Sequence, residues 1–133
     1  MGPPPMNLVS VHFYPERGKQ PTYAEAVGIE NVLARLKDFS ARVGQPLFVG
    51  EFAPAVDDKS EKLTMEQFRA LETSILNALL KVKVDLAAYW VFDYTKDRKG
   101  PGLVRRDNEY AWVIDQIVEY NRRIQTPSAM ESR

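Results

Sequence analysis

The sequence predicts an α/β fold in which a parallel sheet is covered by helices. Three short segments, 7–14, 47–52 and 86–92, are rich in apolar residues, and each precedes a stretch with helical spacing. The segments are almost continuously apolar rather than alternating, which is typical of strands that are buried on both faces. A strand–helix unit repeats about every 40 residues, which favours right-handed crossovers between parallel strands.

The first unit starts with the strand 7–14, which Pro15 ends. Thr22 and Glu25 have the spacing of a capping box and are expected to open the following helix. Gly44 is expected just beyond the end of that helix, where a left-handed backbone is common. The predicted apolar face of the helix consists of Ala26, Ile29, Leu33, Leu36 and Val43.

The second unit starts with the strand 47–52, and Thr64 with Gln67 is expected to cap its helix as a second capping box. The predicted apolar face of this helix consists of Phe68, Leu71, Ile75, Leu79 and Val82. The third unit has the strand 86–92 and a helix over about 107–124. Its predicted buried face consists of Tyr110, Val113, Ile114, Ile117 and Ile124.

The length of 133 residues corresponds to one domain. We expect a flexible lead-in over 1–6, the domain over 7–125 and a flexible tail over 126–133. Lys and Arg total 18, as do Asp and Glu, and this zero net charge argues against a nucleic-acid binder. With no Cys and one His, sites built on thiolates or on several histidines are excluded, and no cofactor or metal is predicted. No apolar run approaches the ~20 residues of a membrane span.

Polar side chains occur where the predicted strands end, and ligands bind at the carboxyl ends of strands in parallel α/β folds. His12 and Tyr14 end the first strand, Glu51 the second, and Trp90 and Asp93 the third. Alternation places His12 and Tyr14 on one side of their strand. The sequence therefore predicts a ligand site at this end of the sheet.

Each of these residues also has a purely structural interpretation. Glu51 is costly to bury without partners, so it is either a functional carboxylate or the partner of a nearby helix or lysine. A lone His12 in an apolar strand is often a hydrogen-bonded core residue. Trp90 and Tyr14 could fill the core, or they could stack against the apolar face of a sugar ring.

Three motifs, taken in order, resemble a known family. They are Val-His-Phe-Tyr at 11–14, Pro-Leu-Phe-Val-Gly-Glu-Phe at 46–52 and Ala-Tyr-Trp-Val-Phe at 88–92. Together they resemble the last three βα units of a cellulase-like glycoside hydrolase of family 5, over about 8–124. The resemblance implies a partial (β/α)8 TIM barrel of three βα units, completed or covered by oligomerisation.

The resemblance also implies a function, the retaining hydrolysis of β-linked polysaccharide. It implies that Glu51 is the catalytic nucleophile and that Tyr14 donates a hydrogen bond to it. His12 and Tyr14 would line the sugar subsite, and Trp90 would stack beneath the sugar. Family members are often secreted, but 1–5 lack the pattern of a signal peptide, so no compartment is predicted.

The chain departs from the family pattern at the family's acid/base, and the Arg expected on an early strand has no counterpart either. The Asn-Glu-Pro motif that carries the family's acid/base is absent, and retaining hydrolysis needs two carboxyl groups ~5–5.5 Å apart. Glu16, Asp57 and Asp58 could substitute, although loop carboxylates are usually only solvated. We therefore expect a single chain to be inactive, and the alternative is a non-catalytic remnant that at most binds sugar.

Two further expectations concern partners. A three-stranded parallel sheet has two unpaired edges, which predicts a homo-oligomer formed through them. A complete barrel of this kind needs ~250 residues, about twice this chain. The basic, glycine-containing stretch 96–106 could hold phosphate, or it could be a solvated loop. The predicted ligand is an oligosaccharide or polysaccharide.

Overall fold

The computed structural model describes residues 7–15, 28–54, 63–90 and 111–125. Several sequence predictions lie outside these residues. They are the lead-in and tail, the cap at Thr22 and Glu25, Ala26 and Tyr110, the loop carboxylates Glu16, Asp57, Asp58 and Asp93, and the stretch 96–106.

Strands and helices alternate along the chain, as the sequence predicts. The elements are β1 (Val9–Phe13), α1 (Ile29–Arg42), β2 (Leu47–Phe52), α2 (Met65–Lys81), β3 (Leu86–Tyr89) and α3 (Ala111–Gln125). The strands form one sheet in the order β1-β2-β3, and both pairings are parallel. The predicted α/β class with an open parallel sheet is confirmed.

Two predicted helix ends are found in the structure. Thr64 Oγ1 accepts from the Gln67 N–H at 3.2 Å, and Gln67 Oε1 accepts from the Thr64 N–H at 2.9 Å, which is the reciprocal capping box. Gly44 follows the end of α1 with φ at 68°, a left-handed conformation that suits glycine. These local signals fix where α2 begins and where α1 ends.

The core lies between the sheet and the helices. Phe13 and Phe52 from the strands are packed there with Leu33 of α1 and Ile75 of α2. A second cluster joins Phe68 of α2 to Val113 of α3. Leu47 and Val49 of β2 are fully buried, as expected for a central strand covered by helices.

Two residues assigned to buried helix faces are exposed instead. Val43 is 47% exposed because it is the C-cap residue, where the helical face no longer continues along the sheet. Ile124 is 61% exposed because it lies in the last turn of α3, where nothing among the described residues covers it. Both predictions of burial were wrong because they continued the apolar face to the last residues of the helix.

The amino end of the sheet is held by Asp85, which precedes β3. Its carboxylate accepts hydrogen bonds from Lys37 Nζ and, at 2.8 Å, from the backbone N–H of Leu47. These two hydrogen bonds, with the Lys37 charge, lower the pKa of the Asp85 carboxyl. Asp85 therefore links the start of β2 to α1.

Among the described helices, none combines the length and the apolar character needed to cross a bilayer.

Candidate functional site at the carboxyl end of the sheet

A β-bulge in β2 determines where the Glu51 side chain goes. Val11 of β1 pairs with Val49, but the next residue, His12, pairs with Glu51 rather than with Gly50. The pairing with β3 shifts in the same place, from Val49 to Phe52. One extra residue in β2 therefore reverses the alternation of side chains beyond it.

The bulge moves Glu51 out of the core. In an unbroken strand, Glu51 would lie on the same face as Leu47 and Val49, which are fully buried under the helices. With the bulge, Phe52 takes that face and is itself buried, and Glu51 shares the opposite face with its partner His12. The desolvation penalty of a buried carboxylate is thereby avoided.

A close approach of neighbouring side chains, rather than the backbone angles, favours glycine at position 50. A Cβ atom built on Gly50 would lie 3.1 Å from Ser10 Oγ, 3.3 Å from Phe48 Cε1 and 3.6 Å from His12 Cδ2. The missing side chain leaves room for these neighbours, which is a common reason for glycine at a bulge. Gly50 therefore provides the bulge, and the bulge determines the direction of the Glu51 carboxylate.

His12 of β1 and Tyr14, which follows β1, both contact the same oxygen of Glu51. The Tyr14 hydroxyl donates a hydrogen bond to Glu51 Oε2 at 2.6 Å, and His12 Nδ1 lies 3.1 Å from the same oxygen. Among the described residues, neither contact involves Oε1. Tyr14 is buried, whereas the side chains of Glu51 and His12 are 23% and 54% exposed.

This arrangement leaves Glu51 held but accessible. The short bond from Tyr14 fixes the carboxylate rotamer through Oε2, since a hydrogen bond to a charged acceptor is stronger than a neutral one. The other oxygen can then face a ligand. A carboxylate oriented in this way can accept a hydrogen bond from a ligand hydroxyl, act as a general base or attack an electrophilic carbon.

Trp90 lies at the same end of the sheet, one strand further on. Its backbone N–H donates to the carbonyl of Phe52 at 2.8 Å, which extends the β2–β3 pairing by one residue. Within the described part of the chain, no hydrogen bond or ring contact joins its indole to His12, Tyr14 or Glu51. The structure therefore brings three of the four predicted residues into contact and places the fourth on the adjacent strand end.

Sequence reasoning overlooked a second carboxyl, that of Glu72 on α2. Its side chain is fully buried, and neither of its oxygens has a hydrogen-bond partner among the described residues. Burial raises its pKa to about 8, so the carboxyl is protonated at neutral pH. The sequence could have predicted this burial. Glu72 follows Phe68 by four positions and precedes Ile75 by three, so the three side chains share one face of the helix.

Residues close to Glu72 on α2 contact α3. Gln116 of α3 donates to Thr73 Oγ1 at 3.2 Å, and the Trp112 ring packs edge-on against Phe68 at 6.2 Å. The buried Trp112 Nε1 also has no hydrogen-bond partner in the described part of the chain. These contacts join α2 to α3 through Phe68 and Thr73, which lie on either side of Glu72 in the sequence. Within the described ranges, no three metal-binding side chains lie close enough together to hold an ion.

Comparison with known proteins was made by sequence and by structure. No family model matches the chain, and no curated protein matches it significantly by sequence. The structure is similar to a family 5 xyloglucanase from Paenibacillus pabuli, solved in complex with a ligand, with a TM-score of 0.60 and 19% sequence identity. The likeness covers 88% of this chain and 39% of the xyloglucanase chain.

That likeness shows the fold. The three βα units have the architecture of part of a TIM barrel. The chain spans well under half of the length of the xyloglucanase.

Proposed function

We propose that the chain carries the nucleophile and part of the sugar subsite of a retaining glycoside hydrolase that acts on β-linked polysaccharide. The observation that supports this most directly is the Tyr14–Glu51 hydrogen bond at 2.6 Å, made at the carboxyl end of a parallel sheet. In this proposal Glu51 Oε1 attacks the anomeric carbon, and Tyr14 and His12 hold Oε2. The xyloglucanase-like fold supports the same assignment.

The first chemical step would form a bond between Glu51 and the anomeric carbon and break the glycosidic bond to the leaving group. In a natural substrate that leaving oxygen needs a proton from a second carboxyl group. Among the described residues, Glu51 is the one carboxylate at this site. The second carboxyl therefore has to come from outside the described residues, where Glu16, Asp57 and Asp58 of the same chain and the carboxyls of another chain are the candidates.

An aryl glycoside with a dinitrophenolate leaving group separates these two requirements, because that group departs without protonation. We expect the wild type to release a burst of dinitrophenolate from dinitrophenyl β-cellobioside, stoichiometric with protein. Glu51→Gln should show no burst, because the amide cannot attack. Glu66→Gln, a change at an exposed position in the first turn of α2, is the matched control and should retain it.

The second candidate is a non-catalytic sugar-binding remnant, and it is favoured because Glu51 is the one carboxylate that the described residues bring to the site. Titration with a cello-oligosaccharide distinguishes the two proposals. Binding without any burst in the wild type supports the remnant. A burst that Glu51→Gln abolishes supports the hydrolase, and the absence of both binding and burst contradicts both.

A further inference from the structure

The interface between α2 and α3 is joined, within the described residues, by contacts of polar and charged side chains at successive helical turns. They are the Arg69 guanidinium 4.7 Å above the Trp112 ring, the Gln116–Thr73 hydrogen bond at 3.2 Å and the Tyr120–Asn77 hydrogen bond. The residue numbers rise together on both helices, so α2 and α3 run in parallel. Arg69, Glu72 and Thr73 have the spacing of one helix face, which places Glu72 on the face of α2 that contacts α3.

This interface buries polar atoms that have no hydrogen-bond partner among the described residues. They are both carboxyl oxygens of Glu72, Nε1 of Trp112 and Oε1 of Gln116. Such atoms destabilise the packed state, because they have lost their hydrogen bonds to water. Separation of the two helices would return them to water, whereas the apolar cluster of Phe68 and Val113 opposes separation. Apolar packing and polar desolvation therefore act in opposite directions at this interface.

The charges near Glu72 do not compensate a carboxylate at that position. Arg69, one turn earlier on α2, is held above a ring of α3. Tyr89 of β3 packs against the same apolar cluster, and a phenol is uncharged near neutral pH. The other charged side chains described on the two helices are exposed, and they are Glu66, Lys81, Asp115, Glu119, Arg122 and Arg123. A carboxylate at position 72 would therefore lack a counter-ion among the described residues while Arg69 stays on the ring.

We propose that the α2–α3 interface is proton-dependent: α3 packs on α2 while Glu72 is neutral and detaches when Glu72 becomes a carboxylate. In the detached state the carboxylate gains water and can pair with Arg69, three residues earlier on the same helix. The main core, with Phe13, Leu33 and Val49, joins the strands to α1 and α2, so we expect the sheet to stay folded. This proposal is independent of the proposed glycosidase function.

The direction of the pH dependence follows from the burial of Glu72. Burial raises the pKa of its carboxyl from 4.5 to about 8, so the packed state holds the proton more tightly than the detached state does. Packing is therefore most favourable below pH 4.5. As the pH rises from 4.5 to about 8, each pH unit should raise the equilibrium constant for detachment ~10-fold. Above about pH 8 the constant should level off.

Hydrogen exchange followed by mass spectrometry measures this equilibrium in the full chain. After correction for intrinsic exchange rates, the protection factors of α3 amides in the wild type should fall ~10-fold per pH unit between about pH 5 and pH 8. Amides of the central strand β2 should remain more strongly protected than those of α3 at every pH. Glu72→Gln keeps the shape of the side chain but cannot ionise, so its α3 protection factors should not depend on pH.

Two further variants control the experiment. Glu66→Gln removes an exposed carboxylate from the same helix and should keep the wild-type pH dependence. Glu72→Leu removes the charge and both unpartnered oxygens, should also abolish the pH dependence, and provides a second test if Glu72→Gln fails to fold.

The measured protection factors can overturn the proposal in two ways. If α3 protection is independent of pH in the wild type, or falls equally in the wild type and in the folded Glu72 variants, Glu72 does not control the interface. If α3 and β2 amides have equal protection factors at each pH, the carboxylate unfolds the whole chain and separate detachment of α3 is contradicted.

Discussion

His12 stands opposite Glu51 across the β1–β2 ladder, although the preceding residue of β1, Val11, stands opposite Val49. The residue skipped between them is Gly50, and the skip turns Glu51 from the helix-covered face to the face that carries His12. The same carboxylate accepts a hydrogen bond from Tyr14 at 2.6 Å. The candidate site therefore depends on a bulge as much as on its polar residues.

The first prediction concerns Gly50. Gly50→Ala puts a methyl group 3.1 Å from Ser10 Oγ and 3.3 Å from Phe48 Cε1, so these two side chains have to shift by a few tenths of an ångström. We expect a weaker dinitrophenolate burst with little loss of unfolding free energy. The control is Gly44→Ala, where there is open space but φ is 68°, and the left-handed backbone should cost about 1–2 kcal/mol of stability without affecting the burst. Equal burst rates in both variants would contradict the role given to the bulge.

The second prediction concerns the hydroxyl of Tyr14. Tyr14→Phe removes the donor to Glu51 Oε2 and keeps the ring. A hydrogen bond to a charged group contributes about 1.5–3 kcal/mol, which corresponds to a burst rate ~10- to 150-fold slower. Tyr120→Phe removes a hydroxyl that donates to Asn77 of α2 instead of to Glu51, and this variant should react at the wild-type rate. If both variants react equally fast, Tyr14 does not position Glu51.

The third prediction concerns the buried carboxyl of Glu72. Its pKa rises from 4.5 to about 8 on folding, so the unfolded chain loses this proton at lower pH than the folded chain does. The free energy of unfolding should therefore fall between about pH 4.5 and pH 8, by several kcal/mol in total. Glu72→Gln should flatten this slope in urea titrations at several pH values. The exposed Glu66→Gln should preserve the slope, and a slope that survives Glu72→Gln would contradict the assignment.

The fourth prediction concerns Asp85, whose pKa is lowered by its hydrogen bonds to Lys37 and Leu47. A lowered pKa stabilises the fold above the ordinary value of 3.8, and this contribution is lost as the pH falls through the folded-state pKa. Asp85→Asn should therefore destabilise the chain by ~1 kcal/mol at neutral pH, measured by urea unfolding. The difference in unfolding free energy between Asp85→Asn and the wild type should become smaller in acid. Because Asp85 lies at the opposite end of the sheet from Glu51, the burst should be unchanged.

The sequence predicts the fold well for reasons that are local. Capping at Thr64, the left-handed turn at Gly44 and the apolar stripe through Phe68 and Ile75 are set by residues close together in the chain. The positions that failed, Val43 and Ile124, are at helix ends, where burial depends on neighbours that are distant in sequence.

The residues of the candidate site could be predicted from the sequence, but their arrangement in space could not. Polar residues at strand ends pointed to His12, Tyr14 and Glu51, and the structure brings these three together. Simple alternation, however, would have buried Glu51 beside Val49, since a bulge depends on the pairing of two strands and leaves only the ambiguous signal of a glycine. Glu72 was overlooked because a glutamate on a helix is normally assigned to the solvent face.

The central claim, that Glu51 is a glycosidic nucleophile, is tested most directly by trapping the covalent intermediate. The probe is dinitrophenyl β-cellobioside with fluorine on the carbon next to the anomeric centre, which slows hydrolysis of the glycosyl-enzyme. Mass spectrometry of the digested protein should find the fluorinated sugar on the peptide that contains Glu51, and on no peptide of Glu51→Gln. An unlabelled wild type, or a label on any other residue, would contradict the account.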